Sequence, residues 1–214
     1  MKPHTIDAAL NGTLPALRTD SPRGLGFPAS AFDPAEHRRN SSLQVGLWAF
    51  LGTVTMLFAG LNSAYLVRRS GSDWQAISLP PLLWLNTAVL ALSSATLELA
   101  RYAVLRERLS SARFWFLLTT VLGIGFLAGQ VEAWRLLAAQ GVFLPTSPHS
   151  SFFFVLTTVH GVHLLGGIIA LLILLARLWR PGRQNQIVAF RLCATYWHFV
   201  DGLWFYTFLL LIAF

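Results

Sequence analysis

Apolar residues in this chain gather into five long runs, at 43–67, 82–105, 114–138, 151–178 and 187–214. They show neither the period-two alternation of a half-buried strand nor the narrow stripe of a surface helix. A helix rises 1.5 Å per residue, so about 20 residues cross a ~30 Å hydrocarbon core, and each run is that long. Lipid offers no partner to backbone N–H and C=O groups, so such a run satisfies them internally as an α-helix. Pro80 and Pro81 suit the opening of the second run, and Pro181-Gly182 stops the fourth. The pattern predicts an all-α membrane protein, a bundle of five transmembrane helices over residues 43–214. Residues 1–42 read as a polar tail carrying Pro and Gly, without helical period and without the apolar stretch of about 7–15 residues that a secretory signal needs. No repeat of 20–50 residues is visible.

Composition supports the membrane assignment. Of the 214 residues 55% are hydrophobic and only 12% charged, against about 25% charged in soluble domains. The net charge of +7 and the pI of 10.7 raise the question of a nucleic-acid partner. The arginines answer it, since they sit in short clusters between apolar runs instead of forming a basic face. No nucleic acid is expected. The lone Cys193 excludes an internal disulfide framework and any cysteine-based zinc or iron–sulfur site within the chain.

Orientation follows from the same arginines. Of the 16 basic residues, only Arg68, Arg69 and Arg135 fall on one side. The others lie in the tail, the loop between runs two and three (with Arg101, Arg106, Arg108 and Arg113), and the loop between runs four and five (with Arg177, Arg180, Arg183 and Arg191). Cytoplasmic loops hold the excess of Arg and Lys, so the amino terminus is expected in the cytoplasm and the carboxyl terminus outside. Trp48, Trp74, Trp84, Trp134, Trp179 and Tyr65 fall near run ends, as an interfacial aromatic belt would.

Ionisable groups at membrane depth are costly and each calls for a partner or a role. Glu98, Arg101, Glu132, Arg135, His160, His163, Arg191, His198 and Asp201 lie in or near the runs. Glu98 with Arg101, and Glu132 with Arg135, are one turn apart and read as internal ion pairs. His160, His198 and Asp201 are each about 15–20 Å into their runs and so near the midplane. His198 and Asp201 share a helix face, where the imidazole can donate to the carboxylate. Three readings stay open for this group: a structural clamp between helices four and five, a proton relay, or a metal or haem ligand set. The pair His160 and His163 invites the last. His198 is the only other histidine expected inside, however, and haem-b anchors place their axial histidines on facing helices. Gly125-x-x-x-Gly129 and Gly60-x-x-x-Ala64 mark expected close helix approaches.

No phosphate loop, nucleophile–base arrangement, zinc motif or dinucleotide-binding glycine pattern occurs. A subunit or scaffold is expected before a self-contained enzyme. A small transporter, which would show repeats and broken helices, fits less well.

Several stretches resemble subunit III of haem–copper terminal oxidases. Tyr196-Trp197-His198-Phe199-Val200-Asp201, followed by Leu203-Trp204, is similar to the last helix of that family. Phe153-Phe154-Val155-Leu156-Thr157, leading to His160-Gly161-Val162-His163 and Gly166, resembles its penultimate helix. Leu85-Asn86-Thr87 with Ser93, Ser94 and Thr96 fits another stretch. Trp48-Ala49-Phe50-Leu51 with Met56, Phe58-Ala59 and Ser63-Ala64-Tyr65 fits the first shared helix. The resemblance runs in order over residues 45–214.

The resemblance implies a non-catalytic subunit of an oxidoreductase complex in the bacterial plasma (inner) membrane. It would pack on subunit I, with subunit II in the same complex, hold phospholipid between its helices, and support proton uptake during reduction of oxygen to water. This chain would bind no cofactor; haem and copper would belong to partner subunits. A cytochrome c donor is expected, with quinol oxidase subunit III or an accessory protein of nitric oxide reductase as alternatives. By the same resemblance Arg177 and Arg180 would contact lipid phosphate, for which the guanidinium fork is well shaped. Two positions depart from the family pattern. Val54 stands where a membrane-embedded glutamate is usual, and Arg135 where many members carry an acidic residue.

Overall fold

The structure, a computed structural model, describes residues 34–72, 74, 79–178 and 184–213. The chain divides into two units, Met1–Arg39 and Asn40–Phe214. Five helices make up the described chain: α1 Pro34–Arg69, α2 Leu82–Leu105, α3 Leu109–Ala139, α4 Pro148–Arg177 and α5 Gln184–Ala213. Each is long and apolar enough to cross a membrane.

Helix limits follow local chemistry. Helix α2 begins where the Pro80-Pro81 pair leads in. Helix α4 opens with Pro148 behind Ser147, whose hydroxyl accepts from the Ser150 N–H at 3.2 Å while the Ser147 N–H donates to the Ser150 Oγ at 3.0 Å. This reciprocal pair ties down two N–H groups that the helix start would leave unbonded. Helix α1 starts at Pro34, earlier than hydropathy suggests, because residues 35–42 contain no breaker to stop a helix outside the apolar run. The rest of the expected tail, residues 1–33, lies outside the described residues. Between α2 and α3 the chain reverses within a few residues around Glu107, which takes φ 59°, the left-handed region that a side chain disfavours. The Glu107 N–H bonds Val104 O at 3.1 Å and the Arg108 N–H bonds Ala103 O at 2.9 Å, closing the last carbonyls of α2.

Helices α2, α3, α4 and α5 form a ring in which α2 packs on α3, α3 on α4, α4 on α5 and α5 on α2. Two tryptophans of α5, seven residues apart and so on one face, fill its centre. Trp197 is fully buried and donates Nε1–H to Ser93 Oγ of α2 at 3.1 Å. Its ring lies over Gly123 of α3 and Gly167 of α4; a methyl at Gly123 would stand 2.7 Å from Cη2, and one at Gly167 3.1 Å from Cε3. Trp204 repeats the arrangement two turns on. It donates to Thr87 Oγ1 of α2 at 3.0 Å and packs against Phe126 of α3 and His160 of α4. Each indole thus touches all three other helices of the ring. Further cross-links join neighbours: Thr96 to Thr119 at 2.8 Å, Trp134 Nε1 to Thr157 Oγ1 at 3.1 Å, and Tyr196 Oη to the His163 carbonyl at 2.8 Å.

Helix α1 is the least buried of the five. It attaches through long side chains: Phe50 and Phe58 reach His163 of α4, Phe50 reaches Tyr196 of α5, and Tyr65 meets His149 and Phe152 at the start of α4.

Candidate functional site

The polar residues singled out from sequence fall into separate places. Glu98 and Arg101 form the expected ion pair, with Arg101 Nε 2.7 Å from Glu98 Oε2. Glu132 and Arg135 pair more loosely, at 3.6 Å, on the exposed side of α3. His198 does not bond Asp201 as the helix-face argument expects. It crosses to α2, where Nε2 lies 3.0 Å from Glu98 Oε1 and Nδ1 2.6 Å from Ser94 Oγ. A carboxylate only accepts, so Nε2 carries the proton in the pair with Glu98, and Nδ1 shares a hydrogen bond with the Ser94 hydroxyl. The result is one hydrogen-bonded line, Ser94–His198–Glu98–Arg101, along the α2/α5 seam. Asp201 is buried deeper. Its carboxylate faces the Ser94 hydroxyl without a hydrogen bond of standard geometry.

The histidines of α4 are packed by aromatic rings. His160 is 1% exposed, with Phe126 at 5.6 Å and Trp204 at 4.9 Å between ring centroids. His163 donates from Nδ1 to its own helix at Val159 O, 2.7 Å away. His160 and His198 therefore do not converge. Sequence reasoning also missed His149, which is buried at the start of α4 and stacks on Trp74 at 5.1 Å. Its position beside the interfacial Pro-Thr-Ser-Pro stretch made it look exposed. Asn62 and Gln130 are buried polar residues that hydropathy passed over as well.

Val54 is 2% exposed and lies in the apolar core. The flanking hydroxyls turn back onto α1 itself, Thr53 to Ala49 O at 3.1 Å and Thr55 to Leu51 O at 2.8 Å. Gly129 marks a true close approach, since a methyl there would collide with the Asn86 side chain of α2. Gly125 and Gly60 face open space. Gly60 and Ala64 instead line an open pocket of about 1230 Å³ between α1 and the start of α4, with Arg68, Ser147 and Ser151 among its polar walls.

Arg177 is exposed in the last turn of α4. Arg180 lies outside the described residues. Nearby, Arg113 Nη2 donates to Leu178 O at 2.9 Å, so the α2–α3 turn and the end of α4 share one end of the bundle.

Thr87, Ser93, Ser94, Thr157, His160, His163, Trp197, His198 and Trp204, which make these contacts on α2, α4 and α5, also carry the resemblance, and the family model for cytochrome c oxidase subunit III matches residues 35–214. The chain belongs to the cytochrome c oxidase subunit III family. A probable cytochrome c oxidase subunit 3 of Mycobacterium tuberculosis is 33% identical over 195 residues, covering 84% of this chain and 93% of the relative. The cytochrome c oxidase subunit 3 of a Bacillus species is 30% identical over 185 residues, covering 82% and 89%. That of Thermostichus vulcanus is 32% identical over 189 residues, covering 86% and 92%. As a member of the subunit III family with five membrane-spanning helices, the chain is a multi-pass component of a respiratory oxidase complex.

Proposed function

We propose that this chain is the non-catalytic third subunit of a cytochrome c oxidase in a bacterial plasma membrane, where it packs on subunit I, retains phospholipid and supports proton uptake during oxygen reduction. The observation that carries the non-catalytic part is the use of its inner side chains. The imidazole of His160 is walled by Phe126 and Trp204, and that of His163 by Phe50 and Phe58. Trp197 and Trp204 fill the centre of the ring formed by α2, α3, α4 and α5. Haem and copper belong to the partner subunits in this reading, and the relatives, which are cytochrome c oxidase subunits, favour cytochrome c over quinol as donor.

Arg113 holding Leu178 places the Arg106, Arg108 and Arg177 regions at one end of the bundle, and the positive-inside rule makes that end cytoplasmic. Arg177 is there to meet anionic headgroups, and Arg180, three residues further along the sequence, would share that role. With Val54 where the family usually carries a glutamate, a proton-uptake role here would work without a carboxylate at that position of α1. Proton uptake would then rely on the form and lipid of the assembly.

Purification of the tagged chain in mild detergent tests the reading. Subunits I and II should come with it, along with their haem spectrum, and the chain stripped of partners should be colourless. A stoichiometric haem on the isolated chain would overturn the assignment. Within the complex, Arg177→Ala with Arg180→Ala should lower retained phospholipid and shorten active life under turnover. Unchanged lipid content and lifetime would remove the lipid role.

A further inference from the structure

Asp201 carries an ionisable group into the dry interior of the fold. It stands fourteen residues from one end of its membrane span, Ile187–Ala213, and twelve from the other. At 1.5 Å per residue these are roughly 21 Å and 18 Å, which puts it close to the midplane. The residue is buried and both of its carboxyl oxygens are closed to solvent. Among the described residues no cation pairs with it; it faces the Ser94 hydroxyl of α2. On α4, His160 packs against Phe126 and Trp204 and makes no bond to it. An isolated carboxylate is so costly in such a place that the group takes up a proton instead.

Ser94 joins this acid to the line on the α2/α5 seam. Its Oγ lies 2.6 Å from His198 Nδ1, and His198 Nε2 lies 3.0 Å from Glu98 Oε1. A hydroxyl both donates and accepts, and a protonated carboxyl has one O–H to give. Two proton placements satisfy the whole line. In one, Asp201 donates to Ser94 Oγ, Ser94 donates to Nδ1, and the imidazole is neutral. In the other each bond is reversed, and an imidazolium faces a carboxylate across the hydroxyl. That second placement separates two charges and leaves the negative one at the buried end. The first leaves charge only on Glu98 and Arg101, which pair at 2.7 Å with both side chains about half exposed.

We infer that Asp201 is a proton-holding site, kept as the neutral acid at the midplane and sharing its proton with His198 through the Ser94 hydroxyl. The shift balances. The Asp201 O–H bond breaks as one forms to Ser94 Oγ, and the Ser94 O–H bond breaks as one forms to His198 Nδ1. Asp201 is then a carboxylate and His198 an imidazolium, until the reverse shift restores both. The His198 side chain is 35% exposed, so the buried acid exchanges its proton by way of the more open seam. The inference uses only contacts within this chain and does not rest on which subunits surround it.

Infrared spectroscopy of the complex in native membranes is the test. A carboxylic-acid C=O stretch should be present at neutral pH and vanish in Asp201→Asn, which keeps the shape and a donor toward Ser94. Glu98→Gln should leave that band in place. If Asp201→Asn fails to assemble, Asp201→Glu should move the band instead of removing it. Transfer to D2O should shift the wild-type band, and Ser94→Ala, which takes out the bridge, should slow that shift about a hundredfold, the low end for a positioned proton donor. No such band in the wild type, a band that neither Asp201 variant alters, or exchange as fast in Ser94→Ala as in the wild type would each overturn the inference.

Discussion

Replacing Trp197 by Phe probes the packing centre of the ring most directly. The change removes the Nε1–H bond to Ser93 Oγ and the outer part of the ring that lies over Gly123 and Gly167. A hydrogen bond between helices in a membrane is worth roughly 0.6–2 kcal/mol. The lost volume, about 40 Å³ at ~24 cal/mol per Å³, adds about 1 kcal/mol. Trp197→Phe should therefore cost about 2 kcal/mol of unfolding free energy, read by denaturant titration in detergent or bicelles. Ser93→Ala should be coupled to it by about the hydrogen-bond share, because each single variant removes the same bond. Gly123→Ala sharpens the test. Its methyl would stand 2.7 Å from Cη2 of Trp197, an overpacking that costs about 1–3 kcal/mol. Phe has no atom in that place, so Gly123→Ala should cost clearly less in the Trp197→Phe background. Additive costs for Gly123→Ala and Trp197→Phe, or a Trp197→Phe cost below about 0.5 kcal/mol, would refute the role given to this side chain.

Two further outcomes are expected. Glu107 holds φ 59° in the α2–α3 turn, so Glu107→Gly should relieve about 1 kcal/mol of backbone strain and raise the thermal midpoint; a lower midpoint would show that the Glu107 side chain matters more than its backbone. Gly129→Ala should destabilise by about 1–3 kcal/mol through collision with the Asn86 side chain, and Asn86→Ala in the same chain should recover part of that loss, as a thermal scan of the double variant would show.

Much of the helical frame was legible because membrane thickness sets a length that soluble folding does not. The Pro80-Pro81 opening placed the start of α2 at Leu82. Helix ends outside lipid were less clear, since α1 runs back to Pro34 through residues that are polar yet helix-tolerant. The Glu98–Arg101 pair was legible because both partners sit on one helix. The partner of His198 was not, because Glu98 is 100 residues away. Which helix face meets which is set by the seating of Trp197 between Gly123 and Gly167, and hydropathy carries no trace of it. His149 escaped notice for a related reason. Its burial comes from Trp74 and Tyr65, which fold back from other parts of the chain. Local sequence at the start of α4 says only that a helix begins.

Both indoles that bridge the ring ride on α5, the helix that follows α2, α3 and α4 in the chain. As the polypeptide leaves the ribosome, those three helices enter the bilayer with the hollow over Gly123 and Gly167 still vacant and the hydroxyls of Ser93 and Thr87 still awaiting their donors. The ring of four spans is thus keyed by one helix, because without Trp197 and Trp204 neither the hollow nor the two hydroxyls have an occupant.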